Sequence, residues 1–335
     1  MSNKDMKIGV LGDGGWGTTL ALLLANKGYP VSLWGAFPAY VEETRKKREN
    51  VKFLPGFKIP ENVTLISDIH RVITESKVIV LAVPSQYMRS VLKKFKKDAL
   101  RGKILVSVAK GIEVQSLQVM SEVVEEELGK IAFAALSGPC IAREIALKNP
   151  AASSVASTDP VVCATVRKIF TTEYFNVFES DDVLGVELGG AVKNVIAIAS
   201  GIAEGLGFGS NTRAALFARG VAEIARLGQA MGAKRETFMG LSGLGDLATT
   251  CLSPHSRNRW LGEEIGKGKN LKEILKGTEM VVEGVATSKS AWQLAKKHKV
   301  PMPITEAVYG ILFQEKNPRE AVQALMKRQS HLELD

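Results

Sequence analysis

The sequence predicts an α/β fold in which an N-terminal, doubly wound sheet is followed by an all-helical domain. Three observations carry that reading. Short aliphatic and β-branched runs alternate with helical segments between Lys7 and Ala156, as in a mostly parallel sheet with crossover helices. A long small-and-apolar stretch, Val183–Gly207, follows. Beyond it only helical periodicity is found. A chain of 335 residues also exceeds one comfortable core, so the domains are placed at residues 1–182 and 183–335.

The first strand, Lys7–Leu11, enters Gly12-Asp13-Gly14-Gly15-Trp16-Gly17 and then a helix reaching about Lys27. A GxGxxG that follows a strand and opens a helix is the dinucleotide fingerprint of a Rossmann-like domain. Gly12 permits the tight turn, Gly14 lets a pyrophosphate reach the backbone, and Gly17 allows close helix–strand packing. The first N–H groups of the helix hold the phosphate. Val31–Trp34 is the second strand. NAD-selective domains place Asp or Glu at its end and NADP-selective ones place Arg nearby. Gly35, Ala36 and Phe37 stand there instead. Without a cation for a 2′-phosphate, the expectation is NAD or NADP with a leaning to NAD.

Further strands are expected at Val63–Ile66, Val78–Val83, Ile104–Val108, Ile131–Leu136 and Ser153–Ala156. Ligands of such sheets sit beyond the carboxyl ends of strands. Pro84-Ser85, Lys110-Gly111 and Ser137-Gly138-Pro139 occupy those places. Lys110 reads either as a contact to an anion or carbonyl or as an ordinary loop lysine.

Val183–Gly207 reads as a buried helix interrupted by Glu187, Lys193, Asn194, Ser200 and Glu204. At 100° per residue Lys193, Ser200 and Glu204 share one side, with Asn194 about 100° from Lys193. A lysine in the middle of such a helix either snorkels, closes an ion pair, or does chemistry. The central Lys193 and Asn194 and the dense glycines argue against an integral membrane segment.

Helices are expected at Thr212–Met231, Ser256–Ile265, Thr287–His298, Ile304–Phe313 and Pro318–Met326. Between them, Leu241-Ser-Gly-Leu-Gly-Asp246 reads as a glycine-dense loop that delivers a carboxylate. Ser256-Arg257-Asn258-Arg259 reads as a helix start, where hydroxyl, guanidinium and amide could converge on a phosphate. A helix cap and a surface cation are the plainer readings of Asp246 and Arg257.

Composition bounds the rest. Three widely spaced cysteines, Cys140, Cys163 and Cys251, suit a reducing compartment rather than a disulfide framework. Four scattered histidines form no ligand cluster, so no metal is expected. The net charge is +9, and its densest basic runs, Arg45–Arg48 and Lys93–Lys97, read as solvated helical faces rather than a nucleic-acid surface. MSNKDMK runs into a strand without a signal-peptide apolar region, and a cytoplasmic location is expected.

Gly12–Gly17, Lys110-Gly111, Ser137-Gly138-Pro139, GGAVKN at Gly189–Asn194, GLGD at Gly243–Asp246, SRN at Ser256–Asn258 and VVEG at Val281–Gly284 come in a recognisable order. In this the sequence resembles the prokaryotic NAD(P)-dependent glycerol-3-phosphate dehydrogenases over nearly its whole length. The resemblance implies a Rossmann domain, a helical substrate domain and a homodimer. It also implies reversible conversion of dihydroxyacetone phosphate to sn-glycerol 3-phosphate for phospholipid synthesis, with a small phosphate ester as the partner molecule. By position it makes Lys193 the proton donor and acceptor. Substrate contacts would be Lys110, Gly138, Cys140, Lys193, Asn194, Asp246, Ser256, Arg257 and Asn258. Cofactor contacts would be Gly12, Gly14, Gly15, Trp16, Gly17, Lys110, Ala142, Arg257, Val281 and Glu283. Two departures stand out: Cys140 replaces a usual Ser or Thr, and Ala36 and Phe37 lack the usual base. A related 3-hydroxyacid dehydrogenase and a dinucleotide sensor without turnover are the rival readings.

Overall fold

The computed structural model describes residues 5–327. These form two compact units, one built from residues up to Ala109 together with Met120–Val183, the other from Lys110–Val119 together with Leu184 onward. Residues 110–119, grouped with the first domain in the sequence reading, therefore belong to the helical unit.

The strands of the first unit are β1 (Ile8–Leu11), β2 (Val31–Trp34), β3 (Val63–Ile66), β4 (Val78–Leu81), β5 (Ile104–Ser107), β6 (Ala132–Ser137), β7 (Ala151–Ala156) and β8 (Phe175–Ser180). Between them lie α1 (Gly15–Asn26), α2 (Pro38–Lys47), α3 (Ile69–Glu75), α4 (Ser85–Leu92), α5 (Met120–Leu128), α6 (Ala142–Ala146) and α7 (Pro160–Phe170). The sheet order is β3-β2-β1-β4-β5-β6-β7-β8, parallel except where β7 runs against β6. Among the described residues eight strands form where seven are expected from sequence. The additional one, β8, alternates buried Phe175 and Val177 with exposed Asn176 and Phe178; its polar, half-exposed pattern weakens the aliphatic signal.

The central strands are apolar on both faces because helices cover both. On β4, Val78 and Val80 enter one core with Ile8 and Val10, while Ile79 and Leu81 enter a second core with Leu11 and Trp34. That alternation follows the two-residue period of a strand.

The second unit contains α8 (Val183–Gly205), α9 (Ser210–Ala230), α10 (Arg235–Met239), α11 (Asp246–Leu252), α12 (Arg257–Gly266), α13 (Leu271–Lys276), α14 (Glu283–His298), α15 (Pro303–Phe313) and α16 (Pro318–Lys327). Every residue of α8 from Gly185 to Ala203 is buried. The helix is long and apolar enough to cross a membrane, but 89% of that apolar stretch is buried inside the protein. It packs closely on α12: a Cβ on Gly201 would lie 2.8 Å from Glu263 N, and one on Gly262 would lie 2.9 Å from Ile202 N. Leu241–Gly245, expected to be a loop, is a π-helical turn running directly into α11.

One buried carboxylate belongs to this scaffold. Glu223 of α9 accepts the backbone N–H groups of Ile304 and Thr305 and the Thr305 hydroxyl, so it caps α15 from a neighbouring helix. Burial raises its pKa to about 7, with the hydrogen bonds from Ile304 and Thr305 opposing the rise. An acid whose folded pKa lies above its unfolded value stabilises the fold most below the unfolded pKa, and stability falls as pH rises from about 4.5 to about 7. Between pH 5 and pH 8 the stability of the wild type relative to Glu223→Gln should therefore drop by about 2 kcal/mol. Urea unfolding of both proteins at the two pH values measures this; parallel pH dependences would contradict it.

Candidate active site

In the sheet unit, β1 ends at Leu11 and the chain turns sharply. Gly12 adopts φ +117°, and a Cβ there would lie 2.6 Å from the Ala82 carbonyl oxygen, so the position requires glycine. A Cβ on Gly17 would run into the Gly12 carbonyl, which lets α1 sit directly on the turn. The Asn50 amide nitrogen fastens this loop, donating to the Asp13 carbonyl and the Thr18 hydroxyl at 2.7 Å each. The Thr19 hydroxyl donates to the carbonyls of Gly15 and Ala142 at 2.9 and 3.1 Å, so Ala142 is held beside the loop.

The loop fits a dinucleotide pyrophosphate. Gly14 stands at the N-cap of α1 with no side-chain cap on the first N–H groups, and a Cβ built on it meets nothing within 4 Å. The side of Gly14 where a side chain would stand is thus open at the positive end of a 12-residue helix. The Trp16 indole N–H is buried without a hydrogen-bond partner within the protein.

In the helical unit, the carboxylate of Asp246 stands between two lysines. Lys110 Nζ donates to its Oδ2 at 2.6 Å, and Lys193 Nζ to its Oδ1. The side chains of Asp246 and Lys193 are 2% and 6% exposed, that of Lys110 16%. Lys193 also donates to Thr250 Oγ1 at 2.5 Å, and that hydroxyl donates to the Asp246 carbonyl one helical turn back. Two lysines share this one carboxylate in a desolvated setting, where a cation acts strongly on a nearby anionic oxygen.

Amides continue the network. Asn194 donates to the Lys110 carbonyl at 3.1 Å and accepts from Asn258 Nδ2 at 2.8 Å. Asn258 Oδ1 accepts the Gly284 N–H at 2.9 Å. These bonds link the segment bearing Lys110, α8, and the starts of α12 and α14. Ser256 is the N-cap of α12, its hydroxyl accepting from Arg259 N. Arg257 follows as the first residue of that helix. Desolvation lowers its pKa and the Glu283 carboxylate opposes this. Burial pushes the Cys251 thiol up to about 12, against the opposing Lys193 charge and a hydrogen bond with Ser200, which keeps it protonated and poorly nucleophilic.

Residues 7–163 match the family described as NAD-dependent glycerol-3-phosphate dehydrogenase N-terminus, and residues 182–323 match its C-terminus. The chain belongs to this dehydrogenase family. Glycerol-3-phosphate dehydrogenase [NAD(P)+] of Syntrophotalea carbinolica is 50% identical over 98% of this chain and the whole of that protein. The crystal structure of the Coxiella burnetii glycerol-3-phosphate dehydrogenase superposes with a TM-score of 0.94 at 38% identity, covering 97% of this chain and 100% of that one. The glycerol-3-phosphate dehydrogenase of Saccharomyces cerevisiae gives 0.82 at 29% identity, with 97% and 100% covered.

Within this dehydrogenase the structure gathers the sequence candidates into two groups. Gly12, Gly14, Gly15, Trp16, Gly17 and Ala142 meet around the glycine turn. Lys110, Lys193, Asn194, Asp246 and Asn258 form one hydrogen-bonded cluster. Ser256 and Arg257 adjoin it through Asn258 at the start of α12, and Val281 and Glu283 adjoin it through Gly284 at the start of α14. Gly138 and Cys140 follow β6 in the sheet unit, Gly138 at φ +149° and Cys140 a partly buried cysteine outside any disulfide. Thr250 and Asn50 escaped the sequence reading. The Asp246–Thr250 spacing of four places both on one helix face, a signal hidden while the preceding stretch reads as a loop.

Proposed function

We propose that this dehydrogenase interconverts dihydroxyacetone phosphate and sn-glycerol 3-phosphate with NAD(P)H. The observation that carries the reading is the buried Lys193, seated between Asp246 and Thr250 with Lys110 on the same carboxylate. The relatives that share nearly the whole chain bear the name glycerol-3-phosphate dehydrogenase [NAD(P)+]. The bound nicotinamide supplies the hydride. As negative charge grows on the ketone oxygen, Lys193 donates a proton to it, and it takes the proton back in the oxidation direction. Asp246 and Thr250 hold Lys193 Nζ in position, and Lys110 on the same carboxylate places a second cation beside the developing charge. The residues needed for the proton transfer lie in the chain itself.

Arg257 binds the phosphate of the substrate from the start of α12. A planar guanidinium beside the positive end of a helix suits a dianion, and binding energy from that unreactive group orients the carbonyl. Arg257→Leu should lower kcat and raise KM for dihydroxyacetone phosphate, with Arg257→Lys recovering only part of the loss. Phosphate-free dihydroxyacetone should be a very poor substrate of either protein. An equal fractional loss with both ketones would remove Arg257 from the phosphate site.

The reading extends to a cytoplasmic homodimer that supplies glycerol 3-phosphate for phospholipid synthesis, with Gly138 and Cys140 as additional substrate contacts and Val281 and Glu283 beside the cofactor. The deciding assay follows NADH and NADPH oxidation at a wavelength of about 340 nm, where reduced nicotinamides absorb. Consumption with dihydroxyacetone phosphate, and far less with 2-keto acids, supports the proposal. Binding of NADH with no ketone-dependent consumption would refute it.

A further inference from the structure

Doubly wound dinucleotide sheets read the adenosine ribose at the carboxyl end of the second strand, using an acidic side chain for a free 2′-hydroxyl or an arginine for a 2′-phosphate. In this protein Gly35, Ala36 and Phe37 follow β2, and none can do either. The structure shows a carboxylate at that place which comes from elsewhere. Asp13, between the first two glycines of the loop, turns its side chain onto Gly35. A Cβ built on Gly35 would lie 2.7 Å from Asp13 Cγ, closer still to Oδ2, and 2.5 Å from Val41 Cγ2. Any side chain at position 35 would therefore expel the carboxylate.

The placement is fixed by the backbone around it. Gly12 N donates to the Trp34 carbonyl at 2.9 Å, tying the loop to the last residue of β2. Asn50 Nδ2 holds the Asp13 carbonyl at 2.7 Å, and the Tyr40 hydroxyl in turn donates to Asn50 Oδ1 at 2.6 Å. Asp13 Oδ2 is buried and has no hydrogen-bond partner within the protein, an arrangement that costs stability and calls for a use. The residue as a whole keeps partial exposure. It caps no helix, since Gly14 is the N-cap of α1.

Lys94 Nζ lies over the ring of Trp34, the last residue of β2, at 5.7 Å, and the basic residues of the segment after β2 are engaged in other ways. Arg45 pairs with Glu42 and donates to the Leu65 carbonyl, and Arg48 donates to the carbonyls of Ile59, Pro60 and Val63. Lys47 pairs with Glu43, and Lys52 lies over the Phe53 ring at 5.3 Å.

We propose that Asp13 is the residue by which this dehydrogenase prefers NAD over NADP, its carboxylate at the end of β2 accepting a hydrogen bond from the ribose 2′-hydroxyl and repelling a phosphate there. The proposal rests on the dinucleotide reading above. A hydrogen bond to a charged group corresponds to a preference of roughly 10- to 100-fold, and repulsion of the 2′-phosphate adds to it.

The test is equilibrium binding, read by quenching of tryptophan fluorescence or by calorimetry, with no ketone present. Dissociation constants for NADH and NADPH are measured for the wild type, Asp13→Asn and Gly35→Ala. The wild type should bind NADH at least about tenfold more tightly than NADPH. Asp13→Asn should shrink that ratio about tenfold or more, mainly by tightening NADPH. Gly35→Ala keeps the charge but pushes it from its place, and should lower the ratio too. Wild-type preference for NADPH, or a ratio unchanged within about twofold in Asp13→Asn, would overturn the proposal. Should the wild type bind neither dinucleotide, the dinucleotide reading itself fails, and the proposal with it.

Discussion

Lys193→Met should lower kcat for ketone reduction by about 10²–10⁴-fold, the usual contribution of a positioned acid–base group, while NADH binding stays close to wild type. Methionine fills similar space on a buried helix but carries no proton to give. It also leaves Asp246 paired with Lys110, whose ammonium lies 2.6 Å from Oδ2, so the carboxylate is not orphaned. Cofactor binding is spared because Lys193 is not among the residues assigned to the dinucleotide, whose pyrophosphate turn lies in the sheet unit. Steady-state kinetics beside NADH titration checks both halves. Retention of more than about a tenth of wild-type turnover would show that Lys193 is not the acid.

Asp246→Asn should produce the largest loss of stability among substitutions in the cluster. It removes the one carboxylate shared by Lys110 and Lys193, whose side chains are 16% and 6% exposed. Breaking a buried ion pair from one side costs about 3–5 kcal/mol, since the partner charge stays desolvated and unpaired. For a unit of this size that corresponds to a fall in melting temperature of roughly 10 °C. Turnover should fall as well, because Lys193 loses a carboxylate that positions it. Calorimetry on the two proteins measures the first effect. A melting temperature within about 2 °C of wild type would mean that the lysines are not stabilised by Asp246.

Where local pattern determines structure, the sequence was readable. β2 and β3 fall on their expected residues because short apolar runs bounded by turns leave little choice of register. The same holds for α8, whose apolar run can satisfy its backbone and bury its surface only as an internal helix. Lys193 and Glu204 lie on one side of that helix as expected. Their partners, Asp246 for the first and Arg259 for the second, are set by packing over 53 and 55 residues of sequence, which no local rule reaches. β8 was missed because its exposed face is polar apart from Phe178. The π-helical turn at Leu241–Gly245 was missed because glycine-dense segments read as loops. Asp13 carries no signal in a GxGxxG pattern, where its position is unrestricted. Its meaning comes only from the absent side chain at Gly35, 22 residues later in the numbering.

The central claim is that Lys193 acts as a proton donor and not merely as a buried cation. Lys193→Arg separates the two roles, because arginine keeps the positive charge and the pairing to Asp246 but holds its proton far more tightly than lysine does. The measurement is kcat for dihydroxyacetone phosphate reduction by Lys193→Arg, made on protein shown to be folded and to bind NADH as the wild type does. The account predicts a kcat as low as that of Lys193→Met, within about tenfold. A variant that keeps near-wild-type turnover would contradict it, leaving Lys193 an electrostatic group and the proton donor elsewhere.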